Sequence, residues 1–167
     1  MSDSQLTTYE NNQPLYCLTF RVGAQWYGLD VAHVFEVYTL VAISEVPDMP
    51  PAILGVVNIR GVVVPVLDLR IRFGATDTAL ALTTPLIFLH ENLRCTYGVI
   101  VDDIDDIITT RADAITTTML SQRASHIIGM LEHKHRLLML LQPQELLVTS
   151  LEDRDLSDMM SQIRENS

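Results

Sequence analysis

An internal repeat of strand-like segments narrows the fold more than any other feature of this chain. "WYGLDVAHVFEV" at 26–37 resembles "TYGVIVDDIDDI" at 96–107. Tyr27-Gly28 aligns with Tyr97-Gly98, and Leu29, Val31, Val34 and Val37 align with Val99, Val101, Ile104 and Ile107. "LGVVNIRGVVVPVL" at 54–67 then aligns with "IGMLEHKHRLLMLL" at 128–141, with Gly55 on Gly129 and Val57 on Leu131. The spacing within the copies differs slightly, so a small insertion separates the blocks. Self-similarity of this kind marks a repeated structural unit. Its competitor is chance likeness, since strands draw on few residue types. The halves expected are about 15–74 and 85–141. Each is too short to enclose a large core, so the two are expected to pack over one shared interior.

The rest of the pattern is all-β. "LYCLTFRV", "QWYGLDV", "VFEVYTLVAI", "PLIFLH", "CTYGVIV" and "IDDIITT" are short runs rich in β-branched and aromatic residues, punctuated by glycine or proline. Short helical turns are expected after Asp30 and Asp68. A helix is expected to begin near Pro143, and 151–167 reads as an acidic surface helix or tail. Residues 1–14 read as a polar arm without the basic and apolar parts of a signal peptide.

Composition limits the function classes. Apolar residues make up 48% of the 167, enough for a packed interior. The net charge of -10 argues against a broad basic face for nucleic acid and against adsorption to an anionic membrane. No apolar run approaches the roughly 20 residues of a membrane helix, so no direct membrane insertion is expected. Cys17 and Cys95 lie in apolar runs and read as buried thiols of a reducing compartment. A disulfide or reactive thiol is the alternative.

"LGVVNIRGVVVPVLDLRIRFG" at 54–74 sets an arginine between two runs of valine. A two-residue turn at Arg60-Gly61 pairs Ile59 with Val62 and Val57 with Val64, and puts these four on one apolar, core-facing side. Val56, Asn58, Val63 and Pro65 take the other side. Gly61 supplies the positive φ of the turn, and Pro65 marks a strand end or edge. Arg60 is exposed by this geometry, either as a solvated turn residue or as a displayed contact. The matching tip of the second copy reads His133-Lys134-His135, cationic but without glycine.

This same stretch resembles the signature of the CheW-type chemotaxis coupling proteins. The correspondence runs through Gly55, Asn58, Arg60, Gly61, Pro65, Val66, Asp68, Leu69, Arg72, Phe73 and Gly74, with Ile59 where the family usually has leucine. "YCLTFRVGAQWYGLDVAHVFEV" is similar to the family's first strands and "YGVIVDDIDDII" to its central segment. The likeness covers about 15–150. It implies two five-stranded, SH3-like β-barrel subdomains around a shared hydrophobic core. It also implies a non-catalytic adaptor that couples the cytoplasmic tips of methyl-accepting chemoreceptors to the regulatory domain of a CheA-like histidine kinase. Such a protein is cytoplasmic and recruited to membrane-associated receptor arrays. Carried over residue by residue, the receptor site comprises Val34, Glu36, Gly55 and Arg60, with Ile104 as a weaker member. The matched motifs assign no kinase-contact residue. An adaptor of a pilus or other non-flagellar system, and a stand-alone β-barrel binding module, are the alternatives.

Other residue groupings read as structural. Asp102, Asp103, Asp105 and Asp106 alternate along a strand, which sends their carboxylates to different faces and suits a charged edge better than a calcium loop. His133 and His135 lack a third and fourth metal ligand nearby in sequence. His33, His90 and His126 are isolated. No phosphate loop, G-x-S-x-G or H-E-x-x-H occurs, and neither catalytic residues, cofactor nor metal is expected.

Overall fold

The structure is a computed structural model in which residues 13–91, 94–117 and 124–147 are described. Ten strands run in chain order: β1 (Leu15–Val22), β2 (Gln25–Asp30), β3 (Val34–Thr39), β4 (Ile53–Ile59), β5 (Val62–Asp68), β6 (Pro85–Glu91), β7 (Arg94–Ile100), β8 (Asp103–Thr110), β9 (Ile127–His133) and β10 (Arg136–Leu141). The two anticipated helical turns are present. A 3-10 turn spans Val31–His33, opened by Asp30 Oδ1 accepting from the Ala32 amide at 2.9 Å, and a single-turn helix spans Leu69–Arg72. The helix expected near Pro143 begins there, as Pro143–Leu146, with Leu146 fully buried. Its expected continuation, the tail at 151–167 and nearly all of the N-terminal arm lie outside the described residues.

The strands form two five-stranded sheets, ordered β8-β1-β2-β10-β9 and β3-β6-β7-β5-β4. The all-β class with two five-stranded subdomains is therefore what the chain adopts. The subdomains are not the two halves. The first unit joins the chain through His33 to Ile104–Leu146, and the second contains Val34–Asp103. Each sheet takes its inner hairpin from one half and its other three strands from the other half. The order is nevertheless the same in both, with β1-β2 and β6-β7 in equivalent places. Each inner hairpin is joined to the last strand of the other half by a parallel pairing, Gly28 opposite Leu140 and Gly98 opposite Val66. These are the glycines that aligned in the repeat. The repeat is thus a repeat of strand order, and exchange between the halves builds the compact unit.

Each unit has its own apolar cluster. The first contains Leu15, Cys17, Ile108, Ile128, Leu131, Leu138 and Leu140, with Trp26 and Ile115 packed against it. The second contains Val57, Val64, Val66, Leu86, Phe88 and Ile100, with Phe35, Tyr38 and Ile59 at its margin. Burying one such side chain fully stabilises the fold by roughly 1.5–3 kcal/mol. Cys17 and Cys95 are both thiols, Cys17 buried and Cys95 only half-buried, less than its apolar run implied. Burial, and secondarily the charge of Asp30, push the Cys17 thiol up to about 12.

The 54–67 hairpin has the expected register, with Ile59 opposite Val62 and Val57 opposite Val64. Its burial departs from expectation in two places. Val57 and Val64 are buried, but Val62 is 49% exposed and Ile59 half-buried, because the core-facing side runs beyond the core near the tip. Pro65 is neither at an edge nor at a strand end; it lies buried within β5, which has β4 on one side and β7 on the other. A missing amide is tolerated there because the ladder to β7 starts only at Val66, and alternation from the turn puts the Val56–Pro65 pair at a non-hydrogen-bonded site of the β4 ladder.

At the far end of β5, Asp68 and Arg70 form a buried, two-pronged ion pair. Asp68 Oδ1 accepts from the Arg70 amide and Nε at 3.0 Å each, and Oδ2 accepts from Nη2 at 2.8 Å. The guanidinium also donates to the carbonyls of Thr78 and Ala79 at 3.0 and 3.1 Å. One aspartate thus caps the Leu69–Arg72 turn and, through Arg70, pins the following loop.

Candidate functional site

Four of the five sequence-expected receptor-site residues fall in the second unit. Val34 opens β3 opposite Leu89, Glu36 follows on the same strand, Gly55 lies in β4, and Arg60 sits at the β4–β5 tip. Ile104 lies on β8, in the first unit, and is partly buried.

The tip is locally determined. Arg60 and Gly61 have φ of 52° and 84°. Two successive positive values are the mark of the tight hairpin turn that follows strand twist. Asn58 Oδ1 accepts from the Gly61 amide at 2.9 Å and closes the loop from within. The Arg60 side chain is 66% exposed and bonds through Nη2 to Glu36 Oε1. Its guanidinium carbon lies 5.6 Å from the centroid of the Phe35 ring. Glu36 Oε2 in turn accepts from the Tyr38 hydroxyl. That hydrogen bond, with burial and the Glu36 charge adding to it, raises the Tyr38 phenol above its ordinary titration range, and Arg60 opposes the shift.

A β-bulge makes this grouping possible. Val34 is opposite Leu89, yet Glu36 is opposite Phe88, so Phe35 is an extra residue on β3. Bulges break the alternation of faces and re-aim side chains. Here the adjacent Phe35 and Glu36 both reach Arg60. Alternation on an ideal strand would have separated them, so Phe35 was not legible as a site residue. Tyr38 was also missed, though the sequence held a signal for it: two positions from Glu36 in a strand, it shares its face.

Gly55 differs in kind from the other residues expected at the site. It is buried, with φ of 150°, and a Cβ placed on it would stand 2.1 Å from the Ser44 carbonyl oxygen. The close approach lets Ser44 bridge to Val56 by a pair of backbone hydrogen bonds of 2.9 and 2.8 Å. Gly129 stands likewise against Thr116, which bridges to Met130. Gly55 shapes the hairpin that carries Arg60 and offers no side chain to a partner.

The first unit carries a counterpart. Arg136 donates from Nη1 to Asp105 Oδ2 at 2.8 Å and lies 4.1 Å above the Trp26 ring. Beside it, Thr19, Asp105, His133, Lys134, Arg136 and Leu138 line a cleft of about 170 Å³. Of the aspartate run, Asp105 is thus ion-paired, while the Asp106 carboxylate accepts from the Ile107 amide at 2.7 Å. Among the described residues no three His, Cys, Asp or Glu side chains are grouped to hold a metal ion, and no helix is long and apolar enough to cross a membrane.

The CheW-like domain family matches this sequence over residues 16–150, most of its length. The chain belongs to that family. Its relatives include the chemotaxis protein CheW of Klebsiella aerogenes, 33% identical over 98 residues, a match covering 59% of this chain and 58% of that protein. The chemotaxis protein CheW of Helicobacter pylori is 26% identical over 141 residues, covering 83% of this chain and 84% of that one. The match to the Klebsiella protein therefore spans less than two thirds of its length. Among solved structures, the scaffolding protein TtCheW from Thermoanaerobacter tengcongensis has the same fold, with a TM-score of 0.74 at 24% identity over 83% of this chain and 95% of that one.

Proposed function

We propose that this protein is a non-catalytic adaptor of a chemotaxis-type pathway, which couples the cytoplasmic tips of chemoreceptors to the regulatory domain of a histidine kinase. Its action is binding and placement, with no bond made or broken. Membership of the CheW-like family and the names of its relatives support this reading. Work at the membrane then comes through receptor tips, since no transmembrane helix occurs among the described residues.

The observation that carries the receptor site is the exposed guanidinium of Arg60, held by Glu36 over Phe35. Arginine is a frequent anchor of interfaces because its planar fork donates several hydrogen bonds with one fixed geometry. Glu36 on β3 holds Arg60 directly, Gly55 shapes its hairpin, and Val34, which the bulge turns to the other face of β3 from Glu36, is retained with Ile104 on the family resemblance alone. An amphipathic receptor helix would meet a charged anchor with apolar neighbours, the usual pattern of helix recognition.

The test is capture of receptor cytoplasmic fragments by the full chain and by Arg60→Glu, together with binding of the kinase regulatory domain. Arg60→Glu should weaken receptor binding by about tenfold or more, with an unchanged circular-dichroism spectrum. A folded Arg60→Glu protein that retains full receptor binding removes this tip from the site.

A further inference from the structure

We infer that Tyr38 and Phe35 are positioning residues of the docking site, which set the Arg60 guanidinium before a partner arrives. The inference rests on the adaptor reading above and deepens it. An exposed arginine–glutamate pair is weak when isolated, because two long side chains lose freedom to hold one geometry in water. Arg60 is exposed and sits on a turn, so Glu36 alone would hold it poorly. Here the carboxylate is itself held. Its second oxygen accepts from the Tyr38 hydroxyl. The Tyr38 ring meets the fully buried Phe88 edge-on, with centroids 5.5 Å apart at 81°. A continuous line therefore runs from the core through Tyr38 and Glu36 to Arg60. Phe35, re-aimed by the bulge, supplies the floor on which the guanidinium rests. Its own ring packs edge-on against His90, with centroids 6.3 Å apart. Holding a contact group in place beforehand reduces the ordering cost of association, so these residues act on affinity through Arg60 and without touching the partner.

The experiment measures affinity of the full chain for receptor cytoplasmic fragments in wild type, Tyr38→Phe, Arg60→Ala and the double variant. Loss of one net hydrogen bond predicts about a 2- to 10-fold loss for Tyr38→Phe. The same substitution should have no effect once Arg60 is alanine. Phe35→Leu should behave as Tyr38→Phe does. A partner-free readout accompanies them: the tyrosine titration attributable to Tyr38 should move down in Glu36→Gln and up in Arg60→Ala. If Arg60→Ala itself binds fully, the docking reading fails. If Arg60→Ala weakens binding and Tyr38→Phe does not, the docking reading stands and the positioning role is overturned. Equal effects of Tyr38→Phe with and without Arg60, or a titration that ignores Glu36→Gln, also overturn it.

Discussion

Two ion pairs of the second unit show how depth decides what a charge does. Arg60–Glu36 is on the surface, where such pairs contribute about 0–1 kcal/mol, so the role proposed for it is to place a donor for a partner. Asp68–Arg70 has side chains only 1% and 5% exposed and saturates itself with hydrogen bonds. Removing one member there strands the other in the interior, at a cost of about 3–5 kcal/mol. Asp68→Ala should therefore lower the urea midpoint strongly, while Arg60→Ala should barely move it. Similar midpoints for the two variants would refute this division. The sequence placed both residues in one family motif. Turn geometry exposed Arg60 in advance, but nothing in the sequence singled out Arg70 or the burial of its pair with Asp68, because burial depends on which strands lie alongside.

The hairpins and the bulge are the elements that aim side chains. In the β9–β10 turn, His133 is opposite Arg136, so Lys134 and His135 occupy the central positions, with φ of 48° and 62°. Side chains with a Cβ are disfavoured there by about 1–2 kcal/mol, offset in part when glycine loosens the unfolded chain. His135→Gly should thus stabilise the protein by about 0.5–1 kcal/mol, read as a higher urea midpoint. A lower midpoint would show that the histidine's own contacts outweigh its backbone strain. The β4–β5 register was legible because a two-residue turn and alternation leave one solution. The bulge at Phe35 was not, since nothing in "HVFEVY" marks an extra residue; only the pairing with β6 reveals it.

For the whole molecule, the buried titratable groups set the behaviour at high pH. The Cys17 thiol ionises near 9.0 when exposed and near 12 in the fold, where burial excludes the thiolate. A raised folded pKa contributes stability below pH 9 that is lost as pH rises toward 12, because the unfolded chain sheds its proton first. The loss is about 1.4 kcal/mol per pH unit. Tyr27 and Tyr97, both raised by burial, extend the trend from about pH 10. Unfolding free energy should fall between about pH 9 and pH 10 in wild type and fall less steeply in Cys17→Ala. Parallel slopes would place the alkaline sensitivity elsewhere. Alkylation should likewise reach the half-buried Cys95 before Cys17.

Alone, the sequence determined the local and periodic facts: strands where β-branched residues alternate, a turn at Arg60-Gly61, matching Tyr-Gly steps in two copies, and a motif specific enough to name a family. These follow from backbone sterics and side-chain periodicity, which act over a few residues. Tertiary structure alone decided that each sheet borrows a hairpin from the other half, that Pro65 lies inside a sheet, and that Phe35, Tyr38 and Glu36 converge on one guanidinium. Such facts come from pairings between distant segments, whose choice rests on the packing of the whole chain.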